Sequence, residues 1–237
     1  TEDIPMASNQ NVDFVLSKTV SLDDISFGDI KKNKYGGKSV PIRHAGRMLK
    51  MQIPKAVINM GLDKYEPPDG GRPVYSFNHA IDYKNKPEHQ QFKELLEGLD
   101  KLAIEHIYEN RVKLIGAKAK KYTRDQVELN FRPSLRFPTD KATGEIVDTW
   151  PPSFRAKIGY YEGRFIPEFF KPDGSKIRDP ENHIQRRSVT KSVITAIGIV
   201  FAGSGYGLSY RLERALVDSP ESIAGKAVFL DDGDETL

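Results

Sequence analysis

The 237 residues suffice for one elaborated domain or two small ones, and with 38% hydrophobic residues and 19 glycines the composition is that of a chain that folds. There is no cysteine, which excludes disulfides, cysteine-ligated zinc, iron–sulfur clusters and thiol catalysis together. The net charge of +3 is segregated: residues 1–30 and 218–237 each carry −5, so the body between them carries +13, a distribution that points to a polyanionic partner.

No apolar run approaches the roughly 20 residues that span a bilayer, and Thr1 opens a polar, acidic stretch unlike a signal peptide. The expectation is a protein with no membrane partner, located inside the cell in cytoplasm or nucleus. In chain order, two short strands are predicted at Ser39 to Arg43 and Arg47 to Ile53, hinged near Ala45-Gly46 and ended by Pro54. After a loop at Pro67 to Pro73, a helix is predicted from Pro87 to Asn110, with proline in its first turn and Phe92, Leu95, Leu96, Leu99, Leu102 and Ala103 on one face.

Arg111 to Phe137 carries a local +6. Within it Val127, Leu129 and Phe131 alternate with polar residues, the pattern of a half-buried strand, and Lys118 to Arg124 then reads as a basic loop between strands. Phe154, Ala156, Ile158 and Tyr160 fall on one face of a further strand, with Arg155, Lys157 and Tyr161 on the other. Glu162-Gly163 supplies a turn, and Arg164 to Phe170 is predicted to return antiparallel. A last hairpin joins the apolar run Ser192 to Ala202 to Leu208, Tyr210 and Leu212 through Gly203 to Gly207. The fold class is α+β, mainly antiparallel β, with a small closed barrel and at least one packed helix.

Motifs for catalysis are incomplete. Gly36-Gly37-Lys38-Ser39 ends like a phosphate loop, but Lys32 stands where its first glycine is needed; Gly203-Ser-Gly-Tyr-Gly207 is followed by Leu208 where a dinucleotide loop requires a third glycine. His44, His79, His89, His106 and His183 show no metal-ligand spacing and are read as surface or packed residues. Glu162 and Glu168 are read as cross-strand ion-pair members. The expectation is a non-enzyme without cofactor or metal. Aromatic and basic residues interleave more informatively, because bases stack on aromatic faces while Lys and Arg hold phosphates. Tyr35, Tyr122, Trp150 and Tyr161 are stacking candidates; Phe154 and Tyr160 are assigned to the core.

Trp150-Pro-Pro-Ser-Phe-Arg-Ala-Lys-Ile158, Tyr161-Glu-Gly-Arg-Phe165 and Tyr206-Gly-Leu-Ser-Tyr-Arg-Leu212, with Leu49-Lys-Met-Gln-Ile-Pro54 and Met60-Gly-Leu62 before them, resemble the core of single-stranded DNA-binding proteins of large DNA viruses and phages. The resemblance covers about half the chain. It implies an OB-like five-stranded barrel enlarged by insertions, no catalysis, and a role in coating replication, recombination or repair intermediates. It also implies an acidic tail that recruits a polymerase, helicase or recombinase and competes with DNA; Asp231, Asp232, Asp234, Glu235 and Leu237 fit that description. The chain then divides into an acidic segment 1–30, a nucleic-acid-binding domain 31–217 and an acidic tail 218–237. Phosphate contacts are assigned to Lys118, Lys120, Lys121, Arg124, Arg132, Arg155, Lys157 and Arg164, and stacking to Tyr122, Trp150 and Tyr161, with homo-oligomerisation open. The alternative is a virion or scaffold protein whose basic body packs a genome.

Overall fold

The computed structural model describes residues 12–33, 37–203 and 205–220. The elements that position the site are, in chain order, β1 (Ile25–Phe27), β2 (Lys38–His44), β3 (Lys50–Gln52), β4 (Ala56–Ile58), β5 (Val74–Ala80), α1 (Pro87–Glu109), α2 (Arg124–Leu129), β6 (Phe131–Arg132), β7 (Leu135–Arg136), β8 (Ser153–Ile158), β9 (Tyr160–Tyr161), β10 (Arg164–Phe165), β11 (Glu168–Phe170), β12 (Ser188–Ala202) and β13 (Gly205–Asp218).

Strand pairings close on themselves. β12 pairs antiparallel with β4, β4 with β5 and β5 with β8; β8 pairs parallel with β13, which returns antiparallel along β12. The protein is thus mostly β with few helices, in a mixed sheet. Tyr75, Phe77, Phe154, Ile194 and Leu212 fill the inside of this ring, and Phe92, Leu96 and Leu99 of α1 join the same core. Each such large apolar side chain contributes about 1.5–3 kcal/mol when buried. A second cluster, built on Val40, Ile104, Ile107, Val127, Phe131 and Ile199, seats α2 and the end of α1 against the β12–β13 hairpin.

The predicted helix is present, with Pro87 in its first turn and Lys86 extended before it. Ala45-Gly46 and Glu162-Gly163 both have positive φ at two successive residues (47° and 77°, 49° and 77°), the backbone that matches the twist of tight hairpins. The acidic N-terminal stretch is tied to the body where it is described: β1 pairs with β2, Asp13 bonds Lys50, and Asp29 lies 3.4 Å from Lys113.

Three local expectations are corrected. Val127 and Leu129 belong to helix α2, not to a strand: Thr123 and Gln126 form a reciprocal capping box that satisfies the first free N–H groups, and only Val127 of the apparent alternation inside the helix is buried, Leu129 being 85% exposed. Lys118, Lys120 and Lys121 lie on a 3-10 helix, Ala117–Lys121, rather than in a loop between strands. The return after Glu162-Gly163 is antiparallel only over β10; Pro167, with no N–H to pair, interrupts it, and β11 pairs parallel with β13 instead.

Candidate nucleic-acid interface

Alternation on β8 places Phe154, Ala156 and Ile158 in the core and turns Arg155 and Lys157 to the outer face. On its β13 side, β8 makes a parallel pair at Lys157 and Arg211 and then diverges. The gap is crossed by Phe131 to Arg136: β6 pairs parallel with the start of β13, and β7 pairs antiparallel with the start of β8, Arg136 opposite Ser153. Gly207 is required there, since a Cβ at that position would lie 2.6 Å from the Arg132 carbonyl oxygen.

This crossing brings Arg132 and Arg136 to Arg155 and Lys157. The four cations, with Ser134, Gly207, Ser209 and Tyr210 among their neighbours, line a cavity of about 110 Å³ whose lining contains no carboxylate. Loss of water and then the charges of Arg155 and Arg132 hold the Arg136 guanidinium below its ordinary range. Lys157 is lowered in the same way, by loss of water first and then by Arg155 and Arg136. Arg155 Nε is buried without a hydrogen-bond partner, whereas Arg132 donates to the Ala202 carbonyl at 2.8 Å. Arginine does not shed its proton in such surroundings, so a bound anion would relieve the repulsion that water at these partly exposed side chains only screens.

The remaining predicted residues lie elsewhere. Lys118, Lys120 and Lys121 are exposed and form no ion pair among the described residues, while Tyr122 is half-buried against the second core cluster. Arg124 is engaged by two carboxylates, Glu105 at 3.1 Å and Glu128 at 2.8 Å. Trp150 is 68% exposed and forms one wall of a separate cavity of about 390 Å³ with Ile81, Tyr83 and Phe137. Tyr161 sits past the other end of β8 on the β9–β10 hairpin, opposite Arg164, with the Arg72 guanidinium 5.3 Å from its ring centre. Tyr35 and the tail residues Asp231, Asp232, Asp234, Glu235 and Leu237 lie outside the described residues.

Sequence reasoning counted Arg136 in a charge total without assigning it to the site. Its pairing with Ser153, 17 positions away, is the signal that a single sequence does not carry. Arg72 falls in a Pro/Gly loop with no periodicity to place it. The buried histidines are packed: His79 bonds Ser192, and His89 accepts the Asp82 N–H and meets the Lys55 carbonyl. Among the described residues no helix is long and apolar enough to cross a membrane.

Neither a protein-family model nor a curated protein matches this sequence. Solved structures similar to it include single-stranded DNA-binding proteins of bacteriophages. That of bacteriophage Enc34 in complex with ssDNA is 16% identical at a TM-score of 0.43, covering 83% of this chain and 97% of its own. The protein gp2.5 encoded by bacteriophage T7 is 14% identical at a TM-score of 0.45, covering 76% of this chain and 97% of its own.

Proposed function

We propose that this chain binds single-stranded DNA without sequence preference, and that its five-strand ring is an OB-type barrel with α1 inserted between the second and third strands. OB barrels take oligonucleotides across those two strands; here they are β5 and β8, and β8 presents Arg155 and Lys157. One observation carries the reading: four cations share a cavity lined by no carboxylate, Arg136 repelled by Arg155 and Arg132, and Lys157 by Arg155 and Arg136. Bases stacking on Trp150 and Tyr161, at opposite ends of β8, would account for tolerance of any sequence. Lys118, Lys120, Lys121 and Arg164 extend the phosphate track in the same proposal, and coating of replication or recombination intermediates is the role assigned to it. The tail residues Asp231 to Leu237 recruit replication proteins and compete with DNA for the cations.

Fluorescence titration with oligo(dT), duplex DNA and RNA at several salt concentrations tests this. Affinity for oligo(dT) should exceed that for duplex of equal length, with a log–log salt slope of about −3 from the four cavity cations at about 0.7 per contact, and steeper to the extent that Lys118, Lys120, Lys121 and Arg164 also meet phosphates. Equal binding to duplex overturns it. Removing residues 231–237 should tighten binding a few-fold at low salt and less at high salt.

A further inference from the structure

A carboxylate sits behind the cationic cavity. Asp100, on the buried face of α1, accepts the Ser134 N–H at Oδ2 (2.8 Å) and the Ser134 hydroxyl at Oδ1 (2.6 Å); Ser134 Oγ lies 2.9 Å from the Tyr210 hydroxyl. Asp100 and Ser134 are 9% and 8% exposed. Placing an ionisable carboxyl there is costly. Burial raises its pKa to about 6 although both Ser134 bonds act in the other direction, with Glu97 of the same helix raising it further and Tyr210 facing it from β13.

What the fold gains is specific. Both oxygens of Asp100 are spent on one residue, and that residue is the second of Pro133-Ser134, the two-residue link between β6 and β7. Pro133 has no N–H, so the Ser134 amide is the first donor by which the link can be held. Arg132 ends β6 just before the link, and Arg136 is the second residue of β7 after it. A rigid helix thus grips the backbone that aims two of the four cations, while the Tyr210 ring, edge-on to Phe154 at 4.8 Å, ties the same network to the core of the ring.

We infer that Asp100 is a positioning residue for the anion-binding cavity, fixing Ser134 and through it the approach of Arg132 and Arg136 to Arg155 and Lys157. This rests on the single-strand reading above for its ligand, though not for its geometry. An alternative role, a through-space negative charge that weakens binding, predicts the opposite response to its removal.

The full chain, Asp100→Ala, Asp100→Asn and Asp100→Leu are titrated with a short oligo(dT) between about 50 and about 300 mM salt, and amide hydrogen exchange is followed at Arg132 and Arg136. Asp100→Ala should bind roughly tenfold more weakly and flatten the salt slope by about 1.4, the share of two single-strand phosphate contacts. Asp100→Asn should stay within about twofold of the wild type, because its carboxamide oxygen accepts the Ser134 N–H and its NH₂ donates to Ser134 Oγ. A folded Asp100→Ala with an unchanged slope overturns the inference, as does tighter binding by both Asp100→Ala and Asp100→Asn. Should Asp100→Ala fail to fold, Asp100→Leu, which fills the same space but accepts from neither Ser134 donor, decides: a flattened slope supports positioning and an unchanged one overturns it. If the wild type binds no oligo(dT), the function reading falls alone. Faster exchange at Arg132 and Arg136 in Asp100→Ala, with Asp100→Asn at the wild-type rate, then still supports the positioning role, and unchanged exchange in Asp100→Ala overturns it.

Discussion

Phe154 and Arg155, consecutive on β8, occupy opposite environments: the Phe154 ring is fully buried, edge-on to Phe92 at 5.2 Å, while Arg155 lines the cationic cavity with its Nε buried and unbonded. Phe154→Ala should therefore destabilise the fold by about 3–5 kcal/mol. Arg155→Ala should leave stability intact and weaken oligo(dT) binding. Urea denaturation and DNA titration of both variants check this; an exchange of phenotypes would mean that the strand faces the other way.

Arg136 is repelled by Arg155 and Arg132 and has lost water, so its charge costs stability in the free protein. Arg136→Gln should leave the unliganded protein at least as stable as the wild type, the repulsion at this exposed side chain being screened by water, while weakening single-strand binding, the trade expected of a strained site. Thermal melts in low and high salt test it. A variant that is both less stable and DNA-binding as before would place Arg136 in a structural role.

Trp150 is the sole tryptophan and is 68% exposed, which makes it a built-in reporter. Its emission should be that of a hydrated indole and should quench on oligo(dT) addition, and Trp150→Ala should cost about 1–3 kcal/mol of binding without loss of stability. Binding at full affinity with unquenched emission removes Trp150 from the strand path.

The parts legible in the sequence were those governed by local pattern. Period-two alternation assigned Phe154 and Arg155 to their faces, and proline with helical spacing marked α1. Positive-φ pairs at Ala45-Gly46 and Glu162-Gly163 were visible as turns. Local pattern also misled, since three alternating apolar residues resembled a strand where the Thr123–Gln126 capping box had already committed the chain to a helix. The site itself was half visible. Arg155 and Lys157 stand two apart on one face of a single strand, but Arg132 and Arg136 reach them through a segment that pairs with β13 and β8 and bonds Asp100, partners 17 to 75 positions away.

Two buried groups should set the pH dependence of stability, with opposite signs. Asp100 is raised by burial to about 6, so the folded state holds its proton where the unfolded state, near 3.8, has lost it. Its contribution is complete below about pH 4 and is lost as pH rises through about 6. His79, which bonds Ser192, is lowered by burial to about 4 from 6.5, so its contribution is present above about 6.5 and is lost as pH falls through about 4. Each shift corresponds to something on the order of 3 kcal/mol at full extent. Over the shared window the two slopes oppose, so the wild type should change less in stability between about pH 4.5 and about pH 6 than either group alone would dictate, half-buried His106, also lowered by burial, adding to the His79 side. Exposed carboxylates lowered by ion pairs, such as Asp13 with Lys50, act below that window. Asp100→Asn should uncover the His79 slope, with stability falling toward acid. His79→Gln should uncover the reverse, with stability rising toward acid until the surface carboxylates are protonated. Urea midpoints at half-unit pH steps measure both. If Asp100→Asn retains the wild-type profile, the carboxyl behind the cations is not the group that titrates there.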